Sequence, residues 1–320
     1  MIIKSEFTPA RWLQNRHLQT LFPNVFYQRP PVKIQRERLE LPDGDFIDVD
    51  WTSGSSGPIV IVLHGLEGSI KSRYAARMMQ HLHSMGLRGA LPHFRGCSGE
   101  PNRLSIGYHS GFTQDLEYFT GLLKQREPQT ALAAVGYSLG GNVLLKWLGE
   151  SPNSKRLATG IAVSVPFDLA DASRVIETGA SRIYKWSLLG RMQRSSIRKF
   201  QTVIPPFALP DIKRIRTFRE FDDKLTAPLH GFKNADDYYM SCSSRYFLKN
   251  INVPTLILHA LDDPFMSPAS VPREDELSTS VTLELSSKGG HVGFVNGSLL
   301  NPTMWLGNRI DLHLRKYLMI

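Results

Sequence analysis

The chain has 320 residues, a net charge of +9, 42% hydrophobic and 21% charged residues, and two cysteines. That composition excludes a disordered chain and a disulfide-stapled scaffold, and it leaves room for one large buried core or two modest ones. No helix-turn-helix, zinc or RNA-binding motif accompanies the positive charge, so nucleic acid is not an expected partner.

Residues 1–36 are expected to form an N-terminal arm packed on the main body. The first seven lack the basic-then-apolar pattern of a secretory signal, and Cys97 and Cys242 suit a reducing cytoplasm. Trp12, Leu13, Leu18, Leu21 and Phe22 supply apolar anchors for a short helix or an extended arm. Arg11 and Arg16 beside the aromatics would also suit a membrane surface, but the stripe is short and interrupted by prolines, which favours packing.

Residues 37–52 alternate around Pro42-Asp43-Gly44-Asp45 as a hairpin does, and 53–57 form a flexible connection. Residues 58–63 are continuously apolar and β-branched, the pattern of a strand buried on both faces. The strand ends in His64-Gly65-Leu66-Glu67-Gly68, a loop whose backbone N–H groups can point into a cavity. His64 reads as a loop-shaping residue, since a later histidine has the better context for a base. A helix over 73–85, with Tyr74, Met78 and Leu82 on one side, leads to a strand over 87–91 and a loop, 92–99, that borders the pocket. Cys97 reads as a small filler and His109 as a loop anchor. A further helix covers 115–124.

An apolar run then feeds Gly136-Tyr137-Ser138-Leu139-Gly140, followed by a helical segment from Asn142. Strand, tight turn and helix with a serine at the apex lift its hydroxyl clear of the sheet, and the flanking glycines remove Cβ atoms that would clash. Ser138 is therefore the candidate nucleophile. The amide of Leu139 can meet that of Leu66, and together they would hold a developing oxyanion.

After a strand over 158–165 the strand–helix rhythm stops. Residues 168–248 read as a helical cap or lid between strands, dense in cations over 181–219, where Asp211 is the sole acid before Glu220. Such a lid suits an anionic lipid surface or an acidic substrate as well as a solvated face. The rhythm returns with a strand over 253–259, closely followed by Asp262 and Asp263, and with a last strand over 281–285 followed by His291. A carboxylate after one strand and a histidine after the next complete the order Ser, Asp, His. A helix from about Trp305 closes the chain, with Ile310, Leu314 and Leu318 on one side.

Several spaced stretches carry a family likeness: Trp12-Leu13 with Asn15 and His17-Leu18-Gln19-Thr20, the loop 64–68, Tyr108-His109-Ser110-Gly111, the serine turn through Asn142, Asp262-Asp263-Pro264 and Gly289-Gly290-His291-Val292-Gly293-Phe294. Over nearly the whole chain they resemble the α/β-hydrolase superfamily and, within it, the AB hydrolase 4 family of YheT-like esterases. The resemblance implies an α/β fold with a mostly parallel sheet, the hydrolase core falling at 37–167 and 249–320. It also implies a Ser138, Asp262, His291 relay acting on a small-molecule carboxylic ester without metal or organic cofactor. In the superfamily the acid commonly sits three residues after the position of His259, which selects Asp262 over Asp263. An acyltransferase would use the same triad, and a non-catalytic binding protein on this fold would normally lose a member of it.

Overall fold

The computed structural model describes residues 1–54 and 56–319; the connection at 53–57 includes Ser55, which lies outside the described residues. In chain order the elements are β1 (Ile2–Lys4), α1 (Arg16–Val25), β2 (Ile34–Glu40), β3 (Phe46–Thr52), β4 (Ile59–Leu63), α2 (Arg73–Ser84), β5 (Arg88–Pro92), α3 (Gln114–Arg126), β6 (Leu132–Tyr137), α4 (Leu139–Glu150) and β7 (Leu157–Val163). There follow α5 (Leu169–Val175), α6 (Arg182–Lys199), α7 (Phe218–Phe221), α8 (Ala227–His230), α9 (Ala235–Cys242), β8 (Thr255–Ala260), β9 (Val281–Ser286), β10 (Val295–Gly297), β11 (Pro302–Met304) and α10 (Trp305–Leu318).

Nine strands form one sheet in the order β1-β9-β8-β7-β6-β4-β5-β3-β2, antiparallel only where the β2–β3 hairpin joins β5. The unbroken apolar runs of the central strands follow from burial on both faces. Ile59, Ile61 and Leu63 of β4 pack on the side of α3 and α4, while Val60 and Val62 pack on the side of α2 and α10. Each such side chain, 2% exposed or less, contributes on the order of 1.5–3 kcal/mol. An aspartate at Val135, fully buried in β6, would therefore break the sheet layer.

Strand order reverses beside β4, with the strands still parallel: β5 lies on one flank and β6 on the other. In such sheets the crevice opens at the carboxyl ends of the strands where this reversal occurs. The loops after β4 and β6 sit there, and Leu63 pairs with Gly136 across them. On the far side β8 and β9 run in register to the pair Ala260–Ser286. The loops bearing the acidic pair and His291 therefore leave the sheet together.

Two features depart from the sequence expectation. The first residues form β1, an edge strand parallel to β9 with Ile2 opposite Leu283, and not merely a packed arm. This pairing covers a backbone edge that would otherwise stand open. The chain also adds a small β10–β11 hairpin after β9, so β9 is not the last strand. Residues 168–248, expected to be helical, hold α5 to α9. Among the described residues no helix is long and apolar enough to cross a membrane.

Candidate active site

Ser138 occupies the turn between β6 and α4 with φ 53° and ψ −120°, a region that residues with a side chain rarely visit. Its N–H donates to Val163 O at 2.8 Å, so the neighbouring strand holds the strained residue in place. A Cβ at Gly136 would stand 2.5 Å from Gly140 O, and one at Gly140 would stand 2.5 Å from the carbonyls of Leu63 and His64. These glycines are required by backbone packing, as the sequence reading anticipated. Behind the turn, Asn142 is fully buried and ties three segments together: Nδ2 donates to Ser110 O and Cys242 O, and Oδ1 accepts from Ser244 N–H.

His291 lies 2.9 Å from Ser138 Oγ through Nε2 and 2.8 Å from Asp263 Oδ2 through Nδ1. A carboxylate only accepts, so Nδ1 carries the proton and Nε2 faces the serine hydroxyl as an acceptor. The Phe265 ring stacks on the imidazole with centroids 4.0 Å apart. Asp263 is 1% exposed, and its second oxygen accepts from Phe265 N–H.

The carboxylate on the histidine is thus Asp263, and the expectation of Asp262 is corrected. Counting from His259 placed the strand end one residue early. β8 continues through Ala260, and Leu261 N–H still donates to Ser286 O. The turn begins after that, with Asp263 N–H donating to Ala260 O. Asp262 Oδ1 instead accepts from Gly290 N–H at 2.9 Å, and burial, with Asp263 nearby, raises its pKa.

Leu66 and Leu139 border the same cleft as Ser138 and His291. Among the described residues neither amide donates to a protein acceptor. His64 donates from Nδ1 to Gly65 O and accepts at Nε2 from Phe94 N–H; burial pushes its pKa down to about 3. It shapes the loop and stays neutral, matching its sequence reading. His109 Nδ1 accepts from Gly111 N–H, again a loop anchor. Leu169, Ile176 and Leu188 from α5, its end and α6, with Phe265, give the cleft an apolar wall. Among the described residues, no three His, Cys, Asp or Glu side chains gather as metal ligands.

Sequence reasoning missed the residues that hold the histidine loop. Thr20 Oγ1 accepts from His291 N–H at 2.9 Å. Gln19 accepts from Val295 N–H and donates to the carbonyls of Leu13 and Val295. Ser164 Oγ accepts from Val292 N–H. The available signal was two adjacent polar residues, Gln19 and Thr20, standing between the apolar Leu18 and Leu21. Here the expected packing of the arm is partly reversed: Leu13, ahead of α1, is buried, but Leu18 and Leu21 of α1 are exposed. The helix turns its polar side inward because the buried amides of the histidine loop need acceptors.

Strand order, serine turn and histidine loop together define a class, and comparison agrees: the chain belongs to the α/β-hydrolase fold family, whose model matches residues 58–298. It is 42% identical over 320 residues to the Escherichia coli protein named "Putative esterase YheT", covering 98% of this chain and 94% of that one. It is 32% identical over 260 residues to monoacylglycerol lipase of Saccharomyces cerevisiae, covering 77% of this chain and 57% of the relative. Among solved structures, the esterase Pf2001 of Pyrococcus furiosus superposes with a TM-score of 0.58 at 14% identity, covering 99% and 100% of the two chains. That likeness is one of fold.

Proposed function

We propose that the chain hydrolyses carboxylic esters through an acyl-enzyme, with Ser138 as nucleophile, His291 as base and Asp263 as the acid that orients it. The observation that carries the reading is the continuous hydrogen-bonded line from buried Asp263 through His291 to Ser138 Oγ, which opens on a cleft that Leu66 and Leu139 also line. The names of the Escherichia coli and yeast relatives support the same class of reaction.

Each step follows from the positions of the groups. As Ser138 Oγ attacks the ester carbonyl carbon, its proton passes to His291 Nε2, and Asp263 stabilises the imidazolium. The Leu66 and Leu139 amides face the oxygen on which charge develops. His291 then gives its proton to the departing alkoxide, leaving the acyl group on Ser138. Water, deprotonated by His291, attacks the acyl carbon; the serine leaves and recovers its proton. The apolar wall of Leu169, Ile176, Leu188 and Phe265 suits an acyl chain, and α5 to α9 act as the cap over it.

An active-site fluorophosphonate probe with peptide mapping tests the reading, alongside turnover of p-nitrophenyl esters of increasing chain length. The expected result is labelling at Ser138 that Ser138→Ala and His291→Ala abolish, with turnover of esters. Folded wild-type protein that neither labels nor turns over any ester would overturn it.

A further inference from the structure

The α1 helix is amphipathic with its faces exchanged. Gln19, Thr20 and Pro23 are buried, whereas Leu18, Leu21 and Val25 form an outward stripe at 52%, 37% and 60% exposure, prolonged by Phe26 at 71%. Isolated exposed apolar residues are ordinary, but a continuous helix stripe is a surface with a use. The stripe is not alone. His17 stacks on Tyr184 of α6 and approaches its hydroxyl at 3.2 Å. The neighbours of Tyr184, Ile183 and Trp186, are 67% and 52% exposed.

Charge says what covers this surface. Neither α1 nor α6 contains an acidic residue. Arg16, Arg182, Arg191 and Arg194 are exposed and, among the described residues, make no ion pair. A second copy of the chain would bring the same cations against them, which like-charge repulsion opposes. An exposed tryptophan and exposed leucines on helices that also carry these arginines instead fit the boundary between acyl chains and anionic headgroups. The surface also borders the catalytic groups. Tyr184 packs on Phe265, which stacks on His291, while α1 holds the backbone of His291 through Thr20.

We infer that the outward faces of α1 and the start of α6 dock the protein on a lipid surface bearing anionic headgroups, presenting the cleft to esters held in that surface. The inference rests on the ester-hydrolase reading for its purpose, but docking and hydrolysis are separately measurable.

The test is co-sedimentation with phosphatidylcholine vesicles, with and without phosphatidylglycerol, at low and high salt. The variants are Leu18→Gln/Leu21→Gln/Val25→Gln and Ile183→Gln/Trp186→Gln, each also assayed on a soluble short-chain ester. Wild type is expected to sediment with the anionic vesicles and to be released by salt. Each variant should bind about tenfold more weakly while turning over the soluble ester as wild type does. Wild type that stays in the supernatant, variants that bind unchanged, or equal binding to vesicles lacking phosphatidylglycerol would overturn the docking surface. So would a wild-type dimer that the variants split, since a second copy would then cover the face. Vesicle binding without any ester turnover would leave docking standing and remove the hydrolase reading instead.

Discussion

The side chain of Thr20 holds the backbone of His291: Oγ1 accepts the histidine N–H at 2.9 Å across 271 residues of sequence. The same hydroxyl donates to Arg16 O one turn earlier in α1. A helix that lies outside the α/β core thus fixes the loop carrying the candidate base. Thr20→Val keeps the shape and leaves a buried N–H without an acceptor, a cost of about 1–3 kcal/mol. Thermal unfolding should shift down, and turnover of a soluble ester should fall mainly in kcat. Thr20→Ser should restore both. Equal loss in the serine and valine variants would point to packing of the methyl group and against the hydrogen bond.

The acidic pair separates cleanly by substitution. Asp263→Asn removes the charge that orients and stabilises His291 and should lower kcat by about 1,000- to 10,000-fold. Asp262→Asn retains an oxygen for the Gly290 N–H and should stay within about threefold of wild type. Steady-state kinetics on one soluble ester, run on both variants, decides between them. A collapse in the Asp262 variant with the Asp263 variant near wild type would reverse the assignment.

That pair also marks where sequence was legible and where it was not. The serine turn could be read because the Gly-x-Ser-x-Gly pattern is contiguous in sequence: Gly136 and Gly140 flank Ser138, and backbone passes 2.5 Å from where a Cβ on either glycine would be. The central strands could be read because burial on both faces leaves an unbroken apolar run. Asp262 and Asp263 could not be separated by local pattern, since the choice depends on how far β8 pairs with β9, and that pairing spans two loops. α1 failed for a related reason. Its inward face is set by amides 271 residues away, so counting apolar residues pointed Leu18 and Leu21 inward when they face out.

Stability is expected to fall with acid in a window set by His259. The residue is 1% exposed, its Nδ1 has no partner among the described residues, and burial pushes its pKa down to about 4 from 6.5. A lowered value means that folding favours the neutral ring. This contribution is complete above pH 6.5 and is lost as pH falls through the folded value near 4. The slope is about 1.4 kcal/mol per pH unit for one such group. His259→Leu should therefore lose less stability than wild type on acidification across that window, measured by urea unfolding at several pH values. Parallel profiles would show that His259 binds no extra proton on unfolding.

The last prediction concerns the Leu66 amide. Glu67, the next residue, has φ 52°, and its N–H donates to the Tyr108 hydroxyl at 2.8 Å. That hydroxyl donates in turn to Glu67 Oε1 at 3.0 Å, and Ser195 of α6 donates to Oε2 at 2.5 Å. The Tyr108 ring is itself fixed by stacking on Phe94, with centroids 5.1 Å apart. Tyr108→Phe keeps that stacking but releases the Leu66–Glu67 peptide, so the adjoining Gly65–Leu66 peptide, whose N–H is the Leu66 amide, loses its fixed neighbour. If the Leu66 amide serves the oxyanion, kcat should fall by about 10- to 100-fold with KM nearly unchanged. The charge that the amide meets develops only after binding, so the loss should appear in the chemical step. A variant with a lowered unfolding temperature and unchanged kcat would assign Tyr108 a structural part and leave the oxyanion to other donors.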